Sequence, residues 1–84
     1  MLHIKVVGPG CPNCERLAQL CQEVLEETEL DGFVEKISDM NQFAELGVIL
    51  TPSLIVNDRM VSSGKIPTKS TLRRRLEEVA KEEH

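Results

Sequence analysis

Cys11 and Cys14 stand three positions apart, with Pro12 and Asn13 between them, in the segment VVGPGCPNCERLAQLC, and Cys21 closes the same segment. Thiols in this pattern can do three kinds of work. They can exchange a disulfide with another thiol pair, hold a soft metal ion as thiolates, or fill core space as small apolar groups. The elements that carry them decide which applies.

Leu2, Ile4 and Val6 alternate with His3, Lys5 and Val7, the period of a strand. Gly8-Pro9-Gly10 breaks it. From Pro12 the period becomes helical: Cys14, Leu17, Ala18, Cys21, Val24 and Leu25 share one stripe, while Glu15, Arg16, Gln19, Gln22, Glu23 and Glu26 face away. Asp31-Gly32 reads as the turn that ends this helix, and Phe33 to Ile37 as a second strand. Ser38 or Asp39 can cap a short helix through Phe43 and Leu46, closed by Gly47. Leu54-Ile55-Val56 is a strand, Asn57-Asp58 a turn, and Met60-Val61 the returning strand of a hairpin. Beyond Gly64 and Pro67, Thr68 caps a last helix with the stripe Leu72, Leu76, Val79 and Ala80.

The order is therefore βαβαββα, an α/β fold. A right-handed crossover makes the first two strands parallel, and the hairpin adds an antiparallel pair. The expected result is a four-stranded mixed sheet with helices on both faces. One domain over residues 1–84 is expected, because a chain this short buries only about 60–65% of its unfolded surface and has no room for a second core.

In this frame Cys11 falls where the first helix begins, with Pro12 in its first turn, where a missing N–H costs nothing. Unpaired N–H groups and the helix dipole favour negative charge there. Such settings lower a thiol from about 8.5 to roughly 3.5–7.5, which makes Cys11 the expected nucleophile. Cys14 is its neighbour on the same turn, with Cβ atoms about 5–6 Å apart, within disulfide reach after a small adjustment. It lies on the apolar stripe and should be buried, which suits a resolving thiol. Cys21, about 10 Å further along the axis, is out of reach and is expected to be core.

Composition narrows the class. The net charge of −4 and the absence of Trp and Tyr argue against a nucleic-acid face. Arg73-Arg74-Arg75 winds around a helix beside Glu77 and Glu78 and reads as a solvated surface. The apolar run before Gly8 is too short for a signal peptide, and no stretch approaches the roughly 20 apolar residues of a membrane span. A cytoplasmic location is expected, where thiols are held reduced and a close Cys pair points to metal or catalysis. His3 and His84 read as strand or surface residues.

The sequence resembles the thioredoxin superfamily, and within it the small thioredoxin-like or glutaredoxin-like redox-active disulfide proteins of archaea and bacteria. Gly10-Cys11-Pro12-Asn13-Cys14 after the first strand, Thr51-Pro52 before the hairpin, and Gly64 ahead of a capped final helix carry the likeness. The resemblance implies a cis Pro52 beside the active disulfide, a Thr51 backbone that hydrogen-bonds a bound substrate chain, and Pro12 and Asn13 on the same substrate-facing surface. It also implies no bound cofactor, disulfide-containing client proteins, an electron-donating reductase, and a monomer.

Some family features differ. Gly10 stands where thioredoxins usually carry Trp, and His3 and Lys5 occupy the strand that commonly holds a buried acid. Ser62-Ser63-Gly64 replaces the double glycine of glutaredoxins, and no Lys immediately precedes Cys11. Dithiol exchange is thus expected over glutathione-dependent chemistry. Small copper or zinc carriers are the other alternative, using the same two thiolates. They resemble βαββαβ and end in a strand, whereas a helix is expected here from Thr68 onward. Further ligands for such a metal, Cys21, His3 and His84, stand at no motif spacing.

Overall fold

Alternation along β1 (Leu2–Val7) sorts the apolar residues of the protein into two layers, one on each side of the sheet. The computed structural model describes residues 1–10 and 12–82. Leu2, Ile4 and Val6 join Leu54 and Val56 on one side, where α1 (Pro12–Thr28) and α3 (Lys69–Glu82) cover them with Leu17, Cys21, Val24, Leu72, Leu76 and Val79. Val7 points the other way. It meets Ile37, Val48 and Ile55 under the short helix α2 (Met40–Glu45), whose Phe43 packs there with Leu46 beyond its end. Helices on both faces follow directly from period-2 strands meeting period-3.6 helices.

The sheet runs β2-β1-β3-β4, with β2 (Gly32–Ile37), β3 (Ser53–Val56) and β4 (Arg59–Ser63). β1 pairs parallel with β2 and antiparallel with β3, and β3 pairs antiparallel with β4. The element order βαβαββα and the mixed four-stranded sheet match the sequence reading. Both expected caps form. The Asp39 side chain accepts from the Asn41 N–H at 2.9 Å, and the Thr68 hydroxyl accepts from the Thr71 N–H at 3.3 Å.

Two boundaries differ from the sequence reading. The first helix does not end at an Asp31-Gly32 turn; it stops at Thr28, and Glu29 takes the left-handed conformation with φ 57°. Gly32 is already in β2, opposite Leu2, and the Asp31 carbonyl accepts from the Leu2 N–H at 2.8 Å. Pairing with β1 captures this segment before it can turn freely. A Cβ on Gly32 would lie 2.8 Å from the Leu2 carbonyl oxygen, so the glycine serves close strand approach. β4 is also longer than Met60-Val61. Ile55 faces Met60 while Leu54 faces Ser62, so Val61 is the extra residue of a bulge and packs half-buried against the larger core.

The arginine run on α3 is solvated, as expected: Arg73 pairs with Glu77 at 3.3 Å and Arg75 with Glu78 at 3.9 Å, all four half-exposed.

Candidate active site

Antiparallel pairing sets Val7 opposite Ser53. One step beyond each, Gly8 at the end of β1 and Pro52 at the start of β3 must come close. The Thr51–Pro52 peptide is cis, as the resemblance implied. Its turn is braced from both sides. The buried Ser53 hydroxyl donates to the Leu50 carbonyl, and the Gly64 N–H donates to the Pro52 carbonyl at 2.9 Å. Pro52 is buried and Thr51 exposed, so the loop presents Thr51 to solvent on a fixed base.

Cys14 arrives from α1. It sits in the first turn, buried at 5% exposure, on the stripe that faces the sheet. Its sulfur lies directly over Gly8: a Cβ on that glycine would be 2.1 Å from Cys14 Sγ and 3.8 Å from the Thr51 Cβ. Cys14, Gly8 and the Thr51–Pro52 turn therefore converge where β1, α1 and β3 meet. Pro12 and Asn13 are exposed on the same first turn. Cys11 lies outside the described residues, as does His84.

Two features here are not legible in the sequence. In the sequence Gly8 reads only as a chain breaker, whereas its missing side chain is what admits the sulfur. Glu15 is exposed, as its place off the apolar stripe predicts, and its carboxylate also meets Lys36 Nζ of β2 at 2.6 Å. Both line a cleft of about 110 Å³ together with Gly8 and Cys14. The available signal was parity: Lys36 opposes Val6 in the parallel ladder, on the side that α1 covers.

The other candidates lie elsewhere. His3 stacks on Phe33 with ring centroids 4.5 Å apart, and its Nε2 is 2.7 Å from Glu35 Oε1. Lys5 reaches Asp58 at 3.7 Å. Among the described residues, no group of three or more His, Cys, Asp or Glu could hold a metal ion, and no helix is long and apolar enough to cross a membrane.

Cys21 is fully buried in the larger core, and that burial pushes its thiol from 9.0 up to about 12. The folded protein thus holds Cys21 protonated where the unfolded chain would ionise it. Its contribution to stability is complete below pH 9 and is lost as pH rises toward about 12. Cys21→Ala should lower stability at neutral pH by leaving a small cavity. Alkaline urea titrations should show a shallower loss in that variant than in wild type. Parallel losses in the two proteins would rule out ionisation of Cys21 as the cause.

Comparison with known proteins agrees with this geometry. The family profile described as "Thioredoxin domain" matches residues 2–77. A thioredoxin of Methanothermobacter thermautotrophicus is 32% identical over 76 residues, covering 90% of this chain and 99% of that protein. A thioredoxin of Methanocaldococcus jannaschii is 33% identical over 76 residues, covering 90% of this chain and 87% of that one. The solution structure of oxidised thioredoxin from Plasmodium falciparum superposes with a TM-score of 0.60 at 19% identity, covering 94% of this chain and 81% of that one. That last likeness concerns the fold.

Proposed function

We propose, because this chain belongs to the thioredoxin family, that it is a thiol–disulfide oxidoreductase exchanging electrons with protein disulfides through Cys11 and Cys14. The observation that carries the reading is the seat of Cys14: a buried sulfur at the first turn of α1, over Gly8 and beside the cis Thr51–Pro52 turn. A sheltered thiol there can finish a reaction that a more accessible thiol begins.

In the forward direction the Cys11 thiolate attacks one sulfur of a client disulfide. A mixed disulfide forms and the first client thiolate leaves. The Cys14 thiolate then attacks the Cys11 sulfur, forming the Cys11–Cys14 disulfide and releasing the second client thiolate. The client gains two electrons and the protein loses two. A reductase of the same exchange chemistry restores the dithiol, and no bound cofactor takes part.

The client chain would lie against the exposed Thr51 backbone, with Pro12 and Asn13 as the facing edge. Ile49 is 91% exposed and Leu50 57% exposed, so apolar surface leads up to this position. A reducing compartment, the cytoplasm, suits a dithiol that must be regenerated.

Insulin reduction tests the reading. The wild-type protein should accelerate precipitation of the insulin B chain well above the dithiothreitol background. Equilibrium dialysis against Cu(I) and Zn(II) provides the contrary arm: stoichiometric tight binding without acceleration would make the protein a metal carrier instead.

A further inference from the structure

A cleft of about 490 Å³ lies between α1 and the segment that leads into α3. Leu20, Ile66 and Pro67 give it a half-buried apolar wall, and the exposed Arg16 and Gln19 complete its α1 side. Both borders of this cleft reach the end of the protein that carries the dithiol. On α1, Arg16 follows Pro12 by four residues, so the two share one face of the helix. On the opposite border, Ile66 follows Gly64 by two residues, and the Gly64 N–H donates to the carbonyl of the cis Pro52 at 2.9 Å. The cleft is thus a side branch of the surface on which Thr51, Pro12 and Asn13 would hold a client.

Its charges are unevenly matched. Lys5, Lys36, Arg59, Lys69, Arg73 and Arg75 each meet a carboxylate. Glu23, the carboxylate in the cleft lining, is already taken, 3.6 Å from Lys69. Arg16 meets no carboxylate among the described residues, and neither does Lys65, which stands exposed between Gly64 and Ile66. Acids outnumber bases in this chain, whose net charge is −4, so an unpaired arginine here does not follow from a shortage of acids. Its planar fork of donors, which suits a carboxylate gripped at both oxygens, is left open.

We propose that Arg16 is a specificity residue that selects client disulfides flanked by an acidic side chain, the client carboxylate pairing with the guanidinium beside this cleft. The inference rests on the dithiol reading above and names the class of client that reading would serve. Helix geometry sets the spacing. From Pro12 to Arg16 is about 6 Å along the axis, close to two residues of extended chain at roughly 3.3 Å each. A residue two positions from the reacting cysteine also shares its face of an extended chain. One client strand can therefore present its sulfur to the thiol and its carboxylate to Arg16, with an apolar neighbour resting on Leu20 and Ile66. The electron exchange itself is unchanged.

Disulfide-linked dimers of one short peptide, with Glu, Gln or Lys two positions to either side of the cysteine, test this. Each is mixed with the reduced protein, and release of peptide thiol, resolved by reversed-phase chromatography, gives a second-order rate constant. Arg16→Gln should lower the Glu-to-Gln ratio of rate constants about 2–5-fold, the range an exposed ion pair supplies. Arg16→Glu should lower it further and favour the Lys peptide, whereas Arg16→Lys should keep the wild-type order. Charges at the rim act mainly on encounter, so the difference should shrink as salt rises. Arg74→Gln is the control: it removes an exposed cation of α3 outside the cleft and should keep the wild-type ratio.

Equal ratios in wild type and Arg16→Gln would overturn the assignment and leave the dithiol reading standing, as would an equal fall in Arg74→Gln. A wild-type protein that releases thiol from none of the three peptides would overturn the dithiol reading itself, and the assignment with it.

Discussion

Cys14→Ser should stop each turnover at the covalent intermediate: client disulfides added to the reduced variant are expected to remain attached through Cys11. Serine keeps the size of the buried side chain but its hydroxyl does not ionise at neutral pH, so nothing displaces the client. Insulin reduction should fall to the dithiothreitol background. The adduct should survive on a non-reducing gel and disappear on reduction. Cys11→Ser should show the same loss of turnover with no adduct, because the sulfur that begins the exchange is gone. An adduct of equal yield in both variants would mean that the two thiols do not divide the work as assigned here. Cys21 offers no competing site, since burial pushes its thiol up to about 12.

Gly8→Ala is the second large effect. The added methyl would sit 2.1 Å from Cys14 Sγ, closer than any packed contact allows. Either the sulfur rotates off its seat or the end of β1 separates from the start of α1. Overpacking of this kind costs about 1–3 kcal/mol or more, a large share of the total for a domain whose stability is roughly 0.05–0.15 kcal/mol per residue. Displacing the resolving sulfur by about 1 Å should also slow resolution on the order of 10²-fold. Urea denaturation measures the first loss, and release of the second thionitrobenzoate on reaction with 5,5′-dithiobis(2-nitrobenzoate), which accompanies closure by Cys14, measures the second. Gly47→Ala is the control. Gly47 has φ 76° and nothing within 4 Å of an added Cβ, so its cost is left-handed strain of roughly 1–2 kcal/mol, with resolution intact. A Gly8→Ala protein that resolves as fast as the Gly47→Ala protein would show that the sulfur is not seated where the structure places it.

Much of this architecture was legible because it is local. Six apolar residues from Cys14 to Leu25 fall at helical spacing, and all six are buried. Asp39 and Thr68 announce helix starts through side chains that cap N–H groups two or three residues away. The hairpin was visible as strand, Asn57-Asp58 turn and strand, and both turn residues have positive φ. Family resemblance, rather than any periodicity, pointed to the cis peptide before β3.

What the chain alone determined, then, is which residues face inward and where helices begin. Tertiary structure decided the rest. Parallel pairing drew Gly32 into β2 and left Glu29 to close α1. Antiparallel pairing of Val7 with Ser53 put Gly8 under the Cys14 sulfur and Thr51 beside it. The crossing of α1 over β2 joined Glu15 to Lys36, twenty-one residues apart in sequence, at the mouth of the same cleft. Periodicity records only whether a side chain points to the core or to water. Which partner it meets depends on how separate elements are laid across one another, and no window of neighbouring residues contains that information.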